Sequence, residues 1–109
     1  MNEELRTYIT IPTFMIMSRK VSFKELLLFG IISNLANAYG YCWADNKYLA
    51  DILGMSETSI THSITNLNRA NYISVAFEND DKAKRKIFVT DYCENAKKQK
   101  FYVWLYRHF

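Results

Sequence analysis

Four polar side chains, Thr58, His62, Thr65 and Arg69, recur at a spacing that places them together on one side of a helix. At about 100° per residue they share a face, with Ser59, Thr61 and Asn66 on its flanks. Hydroxyl, imidazole and carboxamide groups can exchange hydrogen bonds with base edges, and a threonine methyl can touch a thymine methyl. Arg69 comes late on the helix, where a phosphate contact suits it better than a base contact. A second group, Lys82, Lys84, Arg85 and Lys86, could neutralise phosphates or enter a minor groove. Asn46, Lys47 and Tyr48 open another helix, whose first amides can hold a phosphate; Thr7 and Lys24 are further candidates. The plain alternatives are a solvated helix face and a solvated hairpin tip, the latter with Asp80 and Asp81 offsetting its cations. The reading face carries Glu57 and no Lys or Arg before Arg69. It therefore lacks the bidentate arginine–guanine pair, which discriminates by about 1–3 kcal/mol.

Catalytic chemistry has little to draw on. His62 and His108 are the only histidines, and neither lies in a metal or nucleophile motif. There is no glycine-rich phosphate loop, and Asp80-Asp81 reads as a turn pair. Cys42 and Cys93 have no metal-ligand spacing, so free thiols in a reducing compartment are expected. The sequence predicts no enzyme, no metal and no cofactor.

Residues 45–73, DNKYLADILGMSETSITHSITNLNRANYI, must position the polar face. Asp45 can cap a helix carrying Leu49, Ala50 and Leu53, and Gly54 follows where that helix must stop and turn. Ser56 offers a second cap, and Ile60, Ile64 and Leu67 form the next apolar stripe. Two short helices about a turn containing Gly predict a helix-turn-helix, against the alternative of a plain helical hairpin.

The remaining elements fit around this unit. Leu5–Ile11 alternates as a short strand. Pro12 opens a helical turn over Thr13–Met17, with Phe14, Met15 and Met17 covering one end of the core. Val21–Gly40 is the best-marked helix: Ser22 and Glu25 form a capping box, Val21 and Leu26 a staple, and Gly40 the terminator. Its apolar residues go nearly all round, as befits a central post. Tyr41–Ala44 reads as an extended connector and minor third strand, with Trp43 plugging the core. Tyr72–Phe77 and Lys86–Asp91 predict a hairpin with a long polar tip over 78–85. Asp91 and Glu94 begin a final helix that runs into Phe101, Trp104, Leu105 and His108, with a strand over Phe101–Phe109 as the alternative.

The fold class this implies is α+β, mainly helical: a winged helix-turn-helix over 1–91 and a C-terminal helical extension over 92–109. Residues 1–81 carry six basic and nine acidic side chains, and residues 82–109 eight and two. One basic end suggests a localised anion-binding surface, or else a solubilising tail. The longest apolar run, Leu26–Ile32, is too short to span a bilayer, and MNEELRTY lacks a signal-peptide pattern, so a cytoplasmic protein is expected. Phe101, Tyr102, Trp104, Leu105 and His108 could pack on the core or, since aromatic residues are enriched in interfaces, form a dimer interface, the latter favoured because the central helix is already well supplied with partners.

Ile9-Thr10-Ile11-Pro12, Val21-Ser22-Phe23-Lys24 and the run GYCWADNKYLA over Gly40–Ala50 resemble the winged helix-turn-helix domains of phages and plasmids of low-GC Gram-positive bacteria. Many of those are the origin-binding domains of replication initiators. The resemblance covers about residues 7–90 and is specific over Gly40–Leu53. It implies double-stranded DNA binding, with the helix after Ser56 in the major groove and Lys82–Lys86 on the wing. Two features depart from the family: that helix is poorer in basic residues, and 109 residues leave no room for a loader-recruiting domain. The expectation is a dimeric, sequence-preferring DNA-binding protein of a mobile element, acting in replication or transcription, either stand-alone or as part of a longer initiator. The alternative is an interaction module that binds a protein partner, such as an anti-defence factor.

Overall fold

The computed structural model describes residues 8–78 and 81–90, leaving aside the side chains at 78 and 81–83. Four helices come first: α1 (Thr13–Ser18), α2 (Phe23–Tyr39), α3 (Asn46–Leu53) and α4 (Glu57–Arg69). An antiparallel hairpin of β1 (Ile73–Glu78) and β2 (Asp81–Val89) follows. This is a winged helix-turn-helix: a small hairpin set beside the second helix of the pair.

Local chemistry sets the helix ends. Ser22 and Glu25 make both bonds of the capping box on α2. Asp45 caps α3 through the Tyr48 amide at 2.8 Å, and Ser56 caps α4 through that of Ser59 at 3.1 Å. Gly54 ends α3 at φ 65°, in the left-handed region where a Cβ is disfavoured. The end of α4 uses Asn71 instead, at φ 65°. There the Tyr72 amide bonds Leu67 O and the Asn71 amide bonds Asn68 O, both at 3.0 Å, a Schellman motif built on asparagine.

The core lies around α2. Leu28, Phe29, Ile32 and Leu35 are buried there with Met15, Leu49, Ile60, Leu67, Ile73 and Ile87 from the surrounding elements. Truncating any one of these large apolar side chains to alanine costs about 2–5 kcal/mol. The expected stripe Ile60, Ile64 and Leu67 is buried, and Ser63 joins it.

Several expectations need correction. Residues 8–11 form no strand. They cross α2 as an extended segment, with Ile9 and Ile11 packed on the core and Tyr8 O accepting from Asn34 Nδ2 at 3.2 Å. The alternation recorded one buried side, but that side rests on a helix. A Cβ on Gly30 would lie 2.5 Å from Ile9 Cδ1, so glycine permits this crossing. Met17 is 58% exposed and does not cover the core, whereas Met15 is fully buried and Phe14 packs against it. Trp43 is no core plug. Where a minor third strand is expected, Cys42 makes only an isolated bridge to Ile87, through amide–carbonyl bonds of 2.7 and 3.0 Å, and the sheet has two strands. Strand alternation then buries the small residues Cys42 and Ala44 and turns Trp43 outward, onto Tyr39 and Tyr48. The long polar tip is also shorter than expected, because backbone pairing continues through polar residues. Lys82–Lys86 belong to β2, and the register slips between Phe77, which faces Arg85, and Glu78, which faces Asp81. Leu5–Thr7, the helix expected from Asp91 and the Phe101–Phe109 tail lie outside the described residues.

Candidate nucleic-acid interface

The face of α4 away from the core carries Thr58, Thr61, His62, Thr65 and Arg69, all exposed. Their positions follow from the buried stripe, since fixing Ile60, Ile64 and Leu67 inward turns these residues out. The predicted reading residues thus share one surface, with two qualifications. Ser59 is half-buried, and its hydroxyl and amide both engage Ser56 at the cap, each at 3.1 Å. Asn66 is half-buried too, and its Nδ2 donates to Glu25 Oε2 at 2.7 Å, anchoring α4 to α2. Arg69 Nη1 donates to Asn66 Oδ1 over a long 3.4 Å.

A groove of about 340 Å³ separates α4 from the wing. Asn46, Thr61, Thr65, Asn68 and Arg85 give it polar walls, and Ile64, Val75 and Phe77 an apolar floor. Asn68 and Phe77 are not among the residues that the sequence predicts for this surface. Asn68 lies three residues after Thr65 and seven after Thr61, a helical spacing that could have found it. Phe77 sits opposite Arg85 in the hairpin register and is 45% exposed, which no sequence pattern announces.

The cations of the wing divide by environment. Lys84 is exposed. Lys86 Nζ lies 4.8 Å above the Tyr41 ring, a cation–π contact. Arg85 is half-buried: its Nη1 donates to Asn46 Oδ1 and its Nη2 to Ala44 O, both at 2.8 Å. Burial lowers the pKa of this guanidinium, while Cys42 and Asp45 oppose the shift. Burial likewise pushes the Cys42 thiol up, against the Ala44 backbone hydrogen bond and the nearby Arg85 charge.

At the start of α3, Lys47 is exposed, Tyr48 half-buried and Asn46 held between Arg85 and Thr61. Lys24 is exposed on the first turn of α2. Among the described residues no group of His, Cys, Asp and Glu could hold a metal ion, and no helix is long and apolar enough to cross a membrane.

Comparison with known proteins agrees with this geometry. No curated protein matches the chain. A MarR/EmrR family transcriptional regulator from Acinetobacter sp. ADP1 has a similar solved structure, with a TM-score of 0.54 and 18% identity over 83% of this chain. The chain spans 62% of that regulator's length, and at this identity the likeness is one of fold. A family model described as a helix-turn-helix domain matches residues 22–73, the stretch from the α2 cap to the start of β1. The matched residues include the α3–turn–α4 pair, to which the hairpin adds the wing.

Proposed function

We propose that the chain is a non-enzymatic, sequence-preferring double-stranded DNA-binding protein, acting in the cytoplasm in transcriptional regulation or replication initiation of a mobile element. One observation carries this reading: α4 turns Thr58, His62 and Thr65 outward beside a wing with exposed Lys84. The first turns of α4 supply base contacts, while Arg69, Lys47, Lys84 and Lys86 supply phosphate contacts. The helix-turn-helix match and the fold shared with a transcriptional regulator support it. Dimerisation through Phe101, Tyr102, Trp104, Leu105 and His108 would place two such faces on paired half-sites about 34 Å apart. An electrophoretic shift of a random duplex pool by the intact chain tests the proposal. Retention and enrichment of a subset supports it, and no retained duplex overturns it.

A protein-binding role has its own supporting observation. Tyr39, Trp43 and Phe88 are 49%, 36% and 40% exposed, and such aromatic residues are enriched in protein interfaces. Under that reading the intact chain leaves every duplex unshifted.

A further inference from the structure

Arg85 is a wing residue whose guanidinium points inward, and its bonds set the hydrogen-bonding character of the reading helix. Guanidinium only donates, so the Asn46 oxygen is the atom that faces it, at 2.8 Å from Nη1. Asn46 must then present its Nδ2 to Thr61, and it donates to Thr61 Oγ1 at 3.0 Å. The Thr61 hydroxyl in turn donates to Glu57 O at 3.0 Å. With its proton on Glu57 and one lone pair on Asn46, this hydroxyl keeps one lone pair for anything outside. Thr61 is exposed and lines the groove between α4 and the wing.

We infer that Thr61 is a specificity-determining residue that accepts a hydrogen bond from an exocyclic amino group in the major groove, and that Arg85 and Asn46 are positioning residues that, together with Glu57 O, leave it one outward acceptor position. In the major groove adenine N6 and cytosine N4 donate, whereas guanine O6 and thymine O4 accept. A hydroxyl whose proton is engaged by Glu57 O disfavours guanine and thymine at the position it faces. A free threonine rotor would tolerate all four. The inference rests on the DNA-binding reading above. It removes Arg85 from the phosphate-binding set, because its guanidinium is clamped to Ala44 O and Asn46.

The test is selection from a random duplex pool by the intact chain and by Thr61→Val, Arg85→Lys, Asn46→Ala and Lys84→Ala. Salt dependence is then measured on one mixed-sequence duplex. The expected result is a position enriched in adenine or cytosine that Thr61→Val abolishes. Arg85→Lys and Asn46→Ala should relax the same position, since lysine lacks the fork that holds Asn46. A merely structural defect would instead weaken every position together. Arg85→Lys should leave the slope of log K against log salt unchanged, and Lys84→Ala should lower it by about 0.9. Substitution of Arg85 by Ala serves as a second measure: a slope reduced by about 0.9 would make Arg85 a phosphate ligand and overturn the inference. A Thr61-dependent position enriched in guanine or thymine, or selection with no Thr61-dependent position, also overturns it while leaving DNA binding intact. An intact chain that retains no duplex overturns both.

Discussion

Arg85 and Asn46 lie 39 residues apart in sequence, yet Nη1 of one donates to Oδ1 of the other at 2.8 Å. The bond joins strand β2 of the wing to the first turn of α3. The two parts of the interface are therefore held as one body, with Thr61 of α4 bonded to the same carboxamide.

The second such tie is Glu25 to Asn66. The buried Glu25 carboxylate accepts from the Ser22 amide at 2.9 Å and from Asn66 Nδ2 at 2.7 Å. Hydrogen bonds to a charged group contribute about 1.5–3 kcal/mol each. Asn66→Ala should lower stability by about 2 kcal/mol in urea unfolding. The set of duplexes selected should stay the same. A changed sequence preference with unchanged stability would return Asn66 to the reading face.

Gly30 is predicted to be intolerant of a branched side chain. A Cβ there already meets Ile9 Cβ and Cγ1 at 3.2 Å, besides the closer Cδ1. Gly30→Val should displace the segment at Ile9 from α2 and break the Tyr8–Asn34 bond. Hydrogen exchange and limited proteolysis should then show residues 8–11 opened while the α3–α4 amides keep their protection. Unaltered protection at 8–11 would mean that the crossing does not depend on glycine.

Cys42 should be silent toward thiol reagents in the folded protein. It is fully buried, and burial raises its pKa, so the reactive thiolate is suppressed. In a Cys93→Ser variant, labelling should appear only on unfolding. The sign of the linkage follows from the raised value. The contribution is fully present below the unfolded thiol pKa, about 8.5, and is lost as pH rises through the higher folded value. Stability measured by denaturant should fall above that pH, and less steeply in a variant that also carries Cys42→Ala. Rapid labelling of native protein at neutral pH would contradict the burial.

What could be read from sequence was local. Ser22–Glu25, Asp45, Gly54 and Ser56 each act within a few residues of their partners, so their spacing alone announces the caps and the turn. The apolar periodicity of 60, 64 and 67 similarly sets which face of α4 is outward. Ties between distant residues are another matter. Arg85 looked like a wing cation and Asn66 like a reading residue because composition does not show which polar groups bond across the fold. Trp43 misled through size: a large aromatic suggests core, but alternation about the Cys42–Ile87 bridge decides its side. Ile9 and Ile11 misled through period, since an extended segment buries alternate residues on a helix as well as in a sheet.

If the proposed function holds, the outward face of α4 reads DNA sequence. The most direct measurement compares the affinity of the intact chain and of Thr58→Ala, His62→Ala and Thr65→Ala for a selection-enriched duplex and a mixed-sequence duplex. All are measured by fluorescence anisotropy at one salt concentration. Loss of base contacts costs about 1–3 kcal/mol at the contacted position and spares non-specific binding. About fivefold or greater weakening is expected on the enriched duplex, with little change on the mixed one. Equal weakening on both duplexes, or no binding by the intact chain, would contradict this reading of α4.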